Sequence, residues 1–205
     1  GVSESGLAVG GNGLLISTQV DGAALPTVFS TIFGADSTWD LEQVEILRGP
    51  QSTQQGRNAL AGAVIFRSKD PIFEEELRVR AEFGARDFRR FAVSYNTPLV
   101  QDKLAFRFSA ERHESDGLIY NATLGVPAFP ESLETYRAKL LWTPNDRFEA
   151  ILSYTNSSGR GAQTSFLGLT PDSPPVVRFA QQQTNQNDNS IWGLRLNYDL
   201  TDDLT

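Results

Sequence analysis

The stretch Tyr136-Arg137-Ala138-Lys139-Leu140-Leu141-Trp142, Thr143-Pro144-Asn145-Asp146-Arg147, Phe148-Glu149-Ala150-Ile151-Leu152-Ser153-Tyr154 decides the fold. In its first part Tyr136, Ala138, Leu140 and Trp142 alternate with Arg137 and Lys139. In its last part Phe148, Ala150, Leu152 and Tyr154 alternate with Glu149 and Ser153. A period of two places each set on one face of a β-strand, and the Pro-Asn-Asp run between them is turn chemistry. The stretch therefore predicts an antiparallel hairpin with one apolar face and one charged face.

The same pattern extends outward in both directions. Upstream, Leu77, Val79, Ala81 and Phe83 alternate with Arg78, Arg80 and Glu82. Phe91, Val93 and Tyr95 then share a face, and Leu104, Phe106, Phe108 and Ala110 oppose Arg107, Ser109, Glu111 and His113. Downstream, Trp192, Leu194, Leu196 and Tyr198 oppose Arg195 and Asn197. Six strands are predicted, and no charge enters any apolar face. An ordinary soluble β-sandwich also alternates. However, arginine, lysine and glutamate on nearly every opposite face could not pack a dry core, and suit a wet lumen or solvent.

Connections after the second, fourth and sixth strands are short (98–103, 143–147, 199–203). Those after the third and fifth run to roughly twenty and thirty polar, proline-bearing residues. Short turns on one side and long loops on the other mark an outer-membrane barrel. The first upper connection, Gly84 to Arg86, is short and departs from that asymmetry. Aromatic girdles are expected from Tyr95, Trp142, Phe148 and Tyr198 at the periplasmic ends and from Phe83, Tyr136, Tyr154 and Trp192 at the outer ends. A six-residue spacing within a strand is roughly 20 Å, or roughly 15 Å vertically at a tilt near 40°. That is less than the apolar band of about 25 Å, so some of these rings lie inside it.

Composition narrows the classes. The 205 residues carry a net charge of −7, no cysteine and no methionine. Disulfides and cysteine-based metal or redox chemistry are excluded, and an acidic chain with scattered arginines lacks the basic stripe of a nucleic-acid binder. No apolar run approaches the ~18 residues of a membrane helix, so any membrane crossing is by strands. The ends, Gly1 and Thr205, read as cut, which makes the chain a piece of something longer.

Up to about Pro71 the grammar differs. Short apolar runs such as Leu14 to Ile16 and Ala63 to Phe66 are separated by glycine-rich turns, including Asp21-Gly22 and Gly49-Pro50, which predicts a compact α+β segment. Within it, Asp40-Leu41-Glu42-Gln43-Val44-Glu45-Ile46-Leu47-Arg48-Gly49-Pro50-Gln51-Ser52-Thr53 is followed by Gly56-Arg57-Asn58-Ala59-Leu60-Ala61-Gly62-Ala63-Val64-Ile65. This closely resembles the plug of TonB-dependent outer-membrane receptors, strongly over residues 40–71 and by strand pattern beyond. Gly49, Gly56 and Gly62 permit unusual backbone or close approach, and Pro50 fixes φ. As the resemblance implies, Arg48 and Arg57 would pair with carboxylates on the barrel wall; the bland alternative is that both sit in solvent at a turn.

The expectation is thus residues 1–71 as the C-terminal part of a plug domain and 72–205 as the first six strands of a transmembrane antiparallel β-barrel. The resemblance implies 22 strands for the intact receptor. It further implies active transport across the Gram-negative outer membrane, coupled to the TonB complex through a segment preceding this stretch. The ligand would be an extracellular small molecule such as a ferric siderophore, with selection lying in the loops. Outer-membrane lipid is the other partner. No cofactor, metal site or catalytic residue is expected.

Two other classes share parts of this pattern. A passive porin-like or adhesin-like barrel would lack energy coupling. A barrel enzyme would need a histidine converging with other catalytic groups, and His113 is the sole histidine. Gly10-Gly11-Asn12-Gly13 lacks the lysine and spacing of a phosphate loop. Asn121-Ala122-Thr123 matches a glycosylation acceptor only formally, and Glu74 to Glu76 is a solvated strand entry.

Overall fold

The computed structural model describes residues 16–25, 37–49, 62–117, 119–161, 176–181 and 185–200. Two compact units are present, Gly1–Asp70 and Pro71–Thr205.

In the first unit, β1 (Ile16–Val20), β2 (Ala23–Ala24), β3 (Leu41–Arg48) and β4 (Gly62–Ser68) form a mixed sheet in the order β2-β1-β4-β3. Strands β1 and β4 run parallel, and the other pairs are antiparallel. Asp21 and Gly22 both have positive φ, 49° and 85°. That is the geometry of a type I′ hairpin turn, which Asp-Gly adopts at little cost. The turn is tied to the end of β4, because the Asp21 carboxylate accepts from the Ser68 N–H at 2.9 Å and from its Oγ at 2.6 Å. Helix is absent from the described residues, so the expected α component is not seen among them.

The second unit contains β5 (Glu76–Phe83), β6 (Arg89–Val100), β7 (Leu104–Ser115), β8 (Tyr120–Asn121), β9 (Val126–Pro127), β10 (Glu131–Asn145), β11 (Phe148–Gly161), β12 (Val176–Val177) and β13 (Asn185–Tyr198). Six of these make one antiparallel meander, β13-β11-β10-β7-β6-β5. Its burial is inverted relative to a soluble sheet. Phe83 (72% exposed), Leu77, Val79, Trp192, Leu194 and Leu196 (58%) stand in the open, while Ser94, Asn96, Arg107, Ser109, Glu111, Thr135, Arg137 and Lys139 are buried on the opposite face. Leaving large apolar side chains in water forgoes roughly 1.5–3 kcal/mol each, so this face is built for contact with lipid. Six strands cannot close a barrel whose smallest examples have eight, and β5 and β13 keep free edges in this sheet.

Three expectations are corrected. The strands outrun the alternating apolar segments: β10 has 15 residues and β11 has 14, because polar side chains such as Glu134, Asn156 and Ser158 continue the outward face beyond the apolar belt. Tyr95 does not end its strand. β6 continues through Thr97 to Val100, which puts Tyr95 in one cross-strand row with Phe108, Ala138, Tyr154 and Trp192. Finally, the two long connections are shorter than expected, 116–130 and 162–184, and contain β8, β9 and β12.

Candidate functional site

The candidate site of the second unit is the polar wall of the six-stranded sheet. Even-numbered positions of β5 and β6 and odd-numbered positions of β7, β10, β11 and β13 share the wall, as the cross-strand registers require. Near the turn end, the segment entering β5 lies across it. The side-chain amide of Asn96, 0% exposed, accepts from the Ile72 N–H at 3.0 Å and donates to the Ile72 carbonyl at 2.8 Å and to that of Glu74. Phe73 packs on Ala105, Leu141 and Ile151, and Arg107 (3% exposed) pairs with Glu76 at 2.9 Å. A charge buried this deeply needs a partner, since leaving it alone costs several kcal/mol. Arg137 and Lys139, also buried, are likewise not without interaction partners.

Asparagine is depleted in strand interiors, so Asn96 in the middle of β6 was the available sequence signal for this clamp. Its value is testable. Asn96→Ala strips an acceptor and two donor bonds from a buried site and should lower the intact receptor's stability by about 1–3 kcal/mol in denaturant titration. Asn96→Asp, which keeps only the acceptor, should not restore it. A variant as stable as the parent would show that the clamp contributes nothing.

At the loop end of the wall the charges form a chain. Arg90 pairs with Glu82 at 2.8 Å and lies 3.8 Å from Glu111, whose carboxylate is 3.4 Å from His113 Nδ1. Phe88 covers this group, with the Arg90 guanidinium 5.3 Å from its ring centre and the His113 ring 6.4 Å away. The lone histidine is thus a member of a polar wall cluster.

On the outward face, Trp142–Phe148 (5.6 Å) and Phe148–Tyr198 (6.4 Å) make a continuous aromatic run near the turn end. Farther up, Tyr154 contacts Trp192 at 4.5 Å and Phe83 meets Phe91 edge-on at 5.6 Å. Tyr136 faces outward from β10 in register with Asn156. Tyr136, Tyr154 and Trp192 do not end their strands, which continue beyond them.

In the first unit, Gly62 closes against the other strand of its hairpin: a Cβ there would collide with the Leu47 carbonyl oxygen. Gly49 has φ 84° in open space, and Arg48 is exposed at the end of β3, with no carboxylate beside it among the described residues. Pro50, Gly56 and Arg57 lie outside the described residues.

Residues 5–63 match the family model of the TonB-dependent receptor plug domain. The chain is 26% identical over 114 residues to the ferrioxamine receptor of Yersinia enterocolitica, covering 56% of this chain and 15% of that protein. It is 36% identical over 78 residues to the metal-pseudopaline receptor CntO of Pseudomonas aeruginosa, covering 38% and 11%. The crystal structure of the ferric yersiniabactin uptake receptor FyuA from Yersinia pestis superimposes with a TM-score of 0.80 at 20% identity. That match covers 92% of this chain and 30% of the receptor. The chain therefore spans well under a third of the curated relatives it matches. Residues 5–63 thus carry the plug domain of the TonB-dependent receptors, and the chain as a whole is similar in fold to part of a solved receptor.

Proposed function

We propose that the intact protein imports a scarce metal chelate, a ferric siderophore in the first instance, across the outer membrane of a Gram-negative bacterium, driven by the TonB complex. The observation that carries this is the junction within one chain of plug strands and a sheet whose apolar face is exposed while its charged face is buried. A passive pore has no need of a plug matching residues 5–63. The named relatives are receptors for ferrioxamine and metal-pseudopaline, both metal-chelate ligands, which supports the ligand class. In this reading residues 1–71 are the C-terminal part of the plug and 72–205 the first six barrel strands. Arg48 and Arg57 hold the plug against wall carboxylates supplied elsewhere in the intact receptor, and ligand enters from the side of the long connections. The chain does no covalent chemistry.

The test is energy coupling. In cells expressing the intact receptor, removing TonB should abolish accumulation of a radiolabelled ferric hydroxamate or catecholate while leaving binding at the cell surface. Accumulation unchanged without TonB would make the protein a passive barrel.

A further inference from the structure

We infer that the described parts of the two long connections, 119–130 and 176–181, form one body locked by Asn121, which acts as a positioning residue for both. They are far apart in sequence, and nothing in their composition joins them. In the structure β8, from the first, pairs in parallel with β12, from the second, with Tyr120 opposite Val176 and Asn121 opposite Val177, while β9 flanks β8 on its other side. Two parallel residues are a weak ladder, so the junction needs further support. Asn121 supplies it. At 1% exposure, its Oδ1 accepts from the Phe179 N–H at 3.3 Å and its Nδ2 donates to the Phe179 carbonyl at 3.0 Å. The side-chain amide thus engages both backbone groups of a residue 58 positions away, as a strand residue would. The same Oδ1 accepts from the Thr123 N–H at 3.0 Å, which fixes the β8–β9 turn, and the Ala122 N–H donates to the Val177 carbonyl at 2.9 Å.

Apolar packing closes the same seam. Ala128 and Phe129 from the first connection bury with Val177 from the second, with Ile119 and Phe179 against them, and the Phe129 and Phe179 rings meet at 6.4 Å. The approach is tight enough that Gly117, at φ 75°, cannot carry a Cβ without striking the Phe129 carbonyl oxygen. On the other flank, the Asp116 N–H donates to the Arg86 carbonyl at 3.0 Å, tying the turn between β5 and β6 to the same body. Asparagine is specified by this arrangement. Aspartate has no donor for the Phe179 carbonyl, and serine is too short to reach both groups. The formal acceptor sequence Asn121-Ala122-Thr123 is thereby accounted for as packing, since its amide nitrogen is buried and engaged. This inference rests on the uptake reading only for which side of the membrane the body faces.

The test is whether disturbing one connection is felt in the other. In the intact receptor, Asn121→Ala should raise amide hydrogen exchange by about tenfold or more in peptides covering 176–181 as well as 119–129, the loss expected when buried backbone groups lose their partners. Exchange in β7 and β10 should stay at the parent level, which reports a folded barrel. Asn121→Asp should fall between. A rise confined to 119–129 would overturn the inference. A second measurement does not depend on that variant: Tyr120→Cys with Val176→Cys, oxidised to a disulfide, should leave binding of a ferric hydroxamate or catecholate intact. Binding lost on oxidation and recovered on reduction would show that the connections separate in use. Failure of TonB dependence would sink the transport reading without moving either result.

Discussion

Leu196→Arg in the intact receptor is expected to cost about 2–4 kcal/mol if residue 196 faces mid-bilayer, while Arg195→Gln, one residue away, costs almost nothing. The two residues differ in face, not in depth. Leu196 pairs with Ala150 on the outward face, flanked along β13 by Leu194 and Tyr198, where a guanidinium must sit in hydrocarbon. Arg195 points to the polar wall. Glu149 is 4.0 Å from it with both side chains well exposed, the kind of pair worth 0–1 kcal/mol. Reversible unfolding of each variant from lipid vesicles gives the comparison directly. Equal losses would mean that the faces are wrongly assigned, and with them the inversion of burial on which the membrane reading stands.

That inversion was legible in the sequence because a period of two is a short-range signal: Arg78, Arg107, Lys139 and Arg195 each sit directly between two apolar residues of the opposite face. What the sequence could not show was contact between segments distant along the chain. Asn121 and Phe179 are 58 residues apart, and their two-residue strands are too short for any periodicity to register. Asn96 falls between, visible as a misfit in a strand but silent about its partner at Ile72. Tyr95 was misplaced for a related reason. Pro98 reads as the start of a turn, yet proline is tolerated near a strand's end, and β6 runs past it to Val100. In the plug, the motif named the family, whereas the geometry at Gly62 became apparent only when β3 and β4 were paired.

Gly62 gives the second large effect. Its φ of 152° lies where L side chains are rarely found, and an added Cβ would overlap the backbone oxygen of Leu47, which cannot rotate away as a side chain could. Relief requires β3 and β4 to part at the point where Arg48 faces Gly62 and Leu47 faces Ala63. Because β4 is also the parallel partner of β1 from Ile16 to Val20, the displacement passes into the centre of the sheet. Gly62→Ala should therefore cost about 2–4 kcal/mol, combining strain with overpacking. The expected phenotype is selective. The barrel still inserts and shows the heat-modifiable mobility of a folded one, since its strands carry their own register, but the first unit becomes sensitive to trypsin at Arg48 and Arg67. The Gly49→Ala control, with a positive φ but open space around it, pays only for backbone strain and should be milder. If Gly62→Ala resists trypsin as well as the parent does, the close approach of Leu47 is not what requires glycine there. If both variants are equally labile, the positive φ alone accounts for the two glycines.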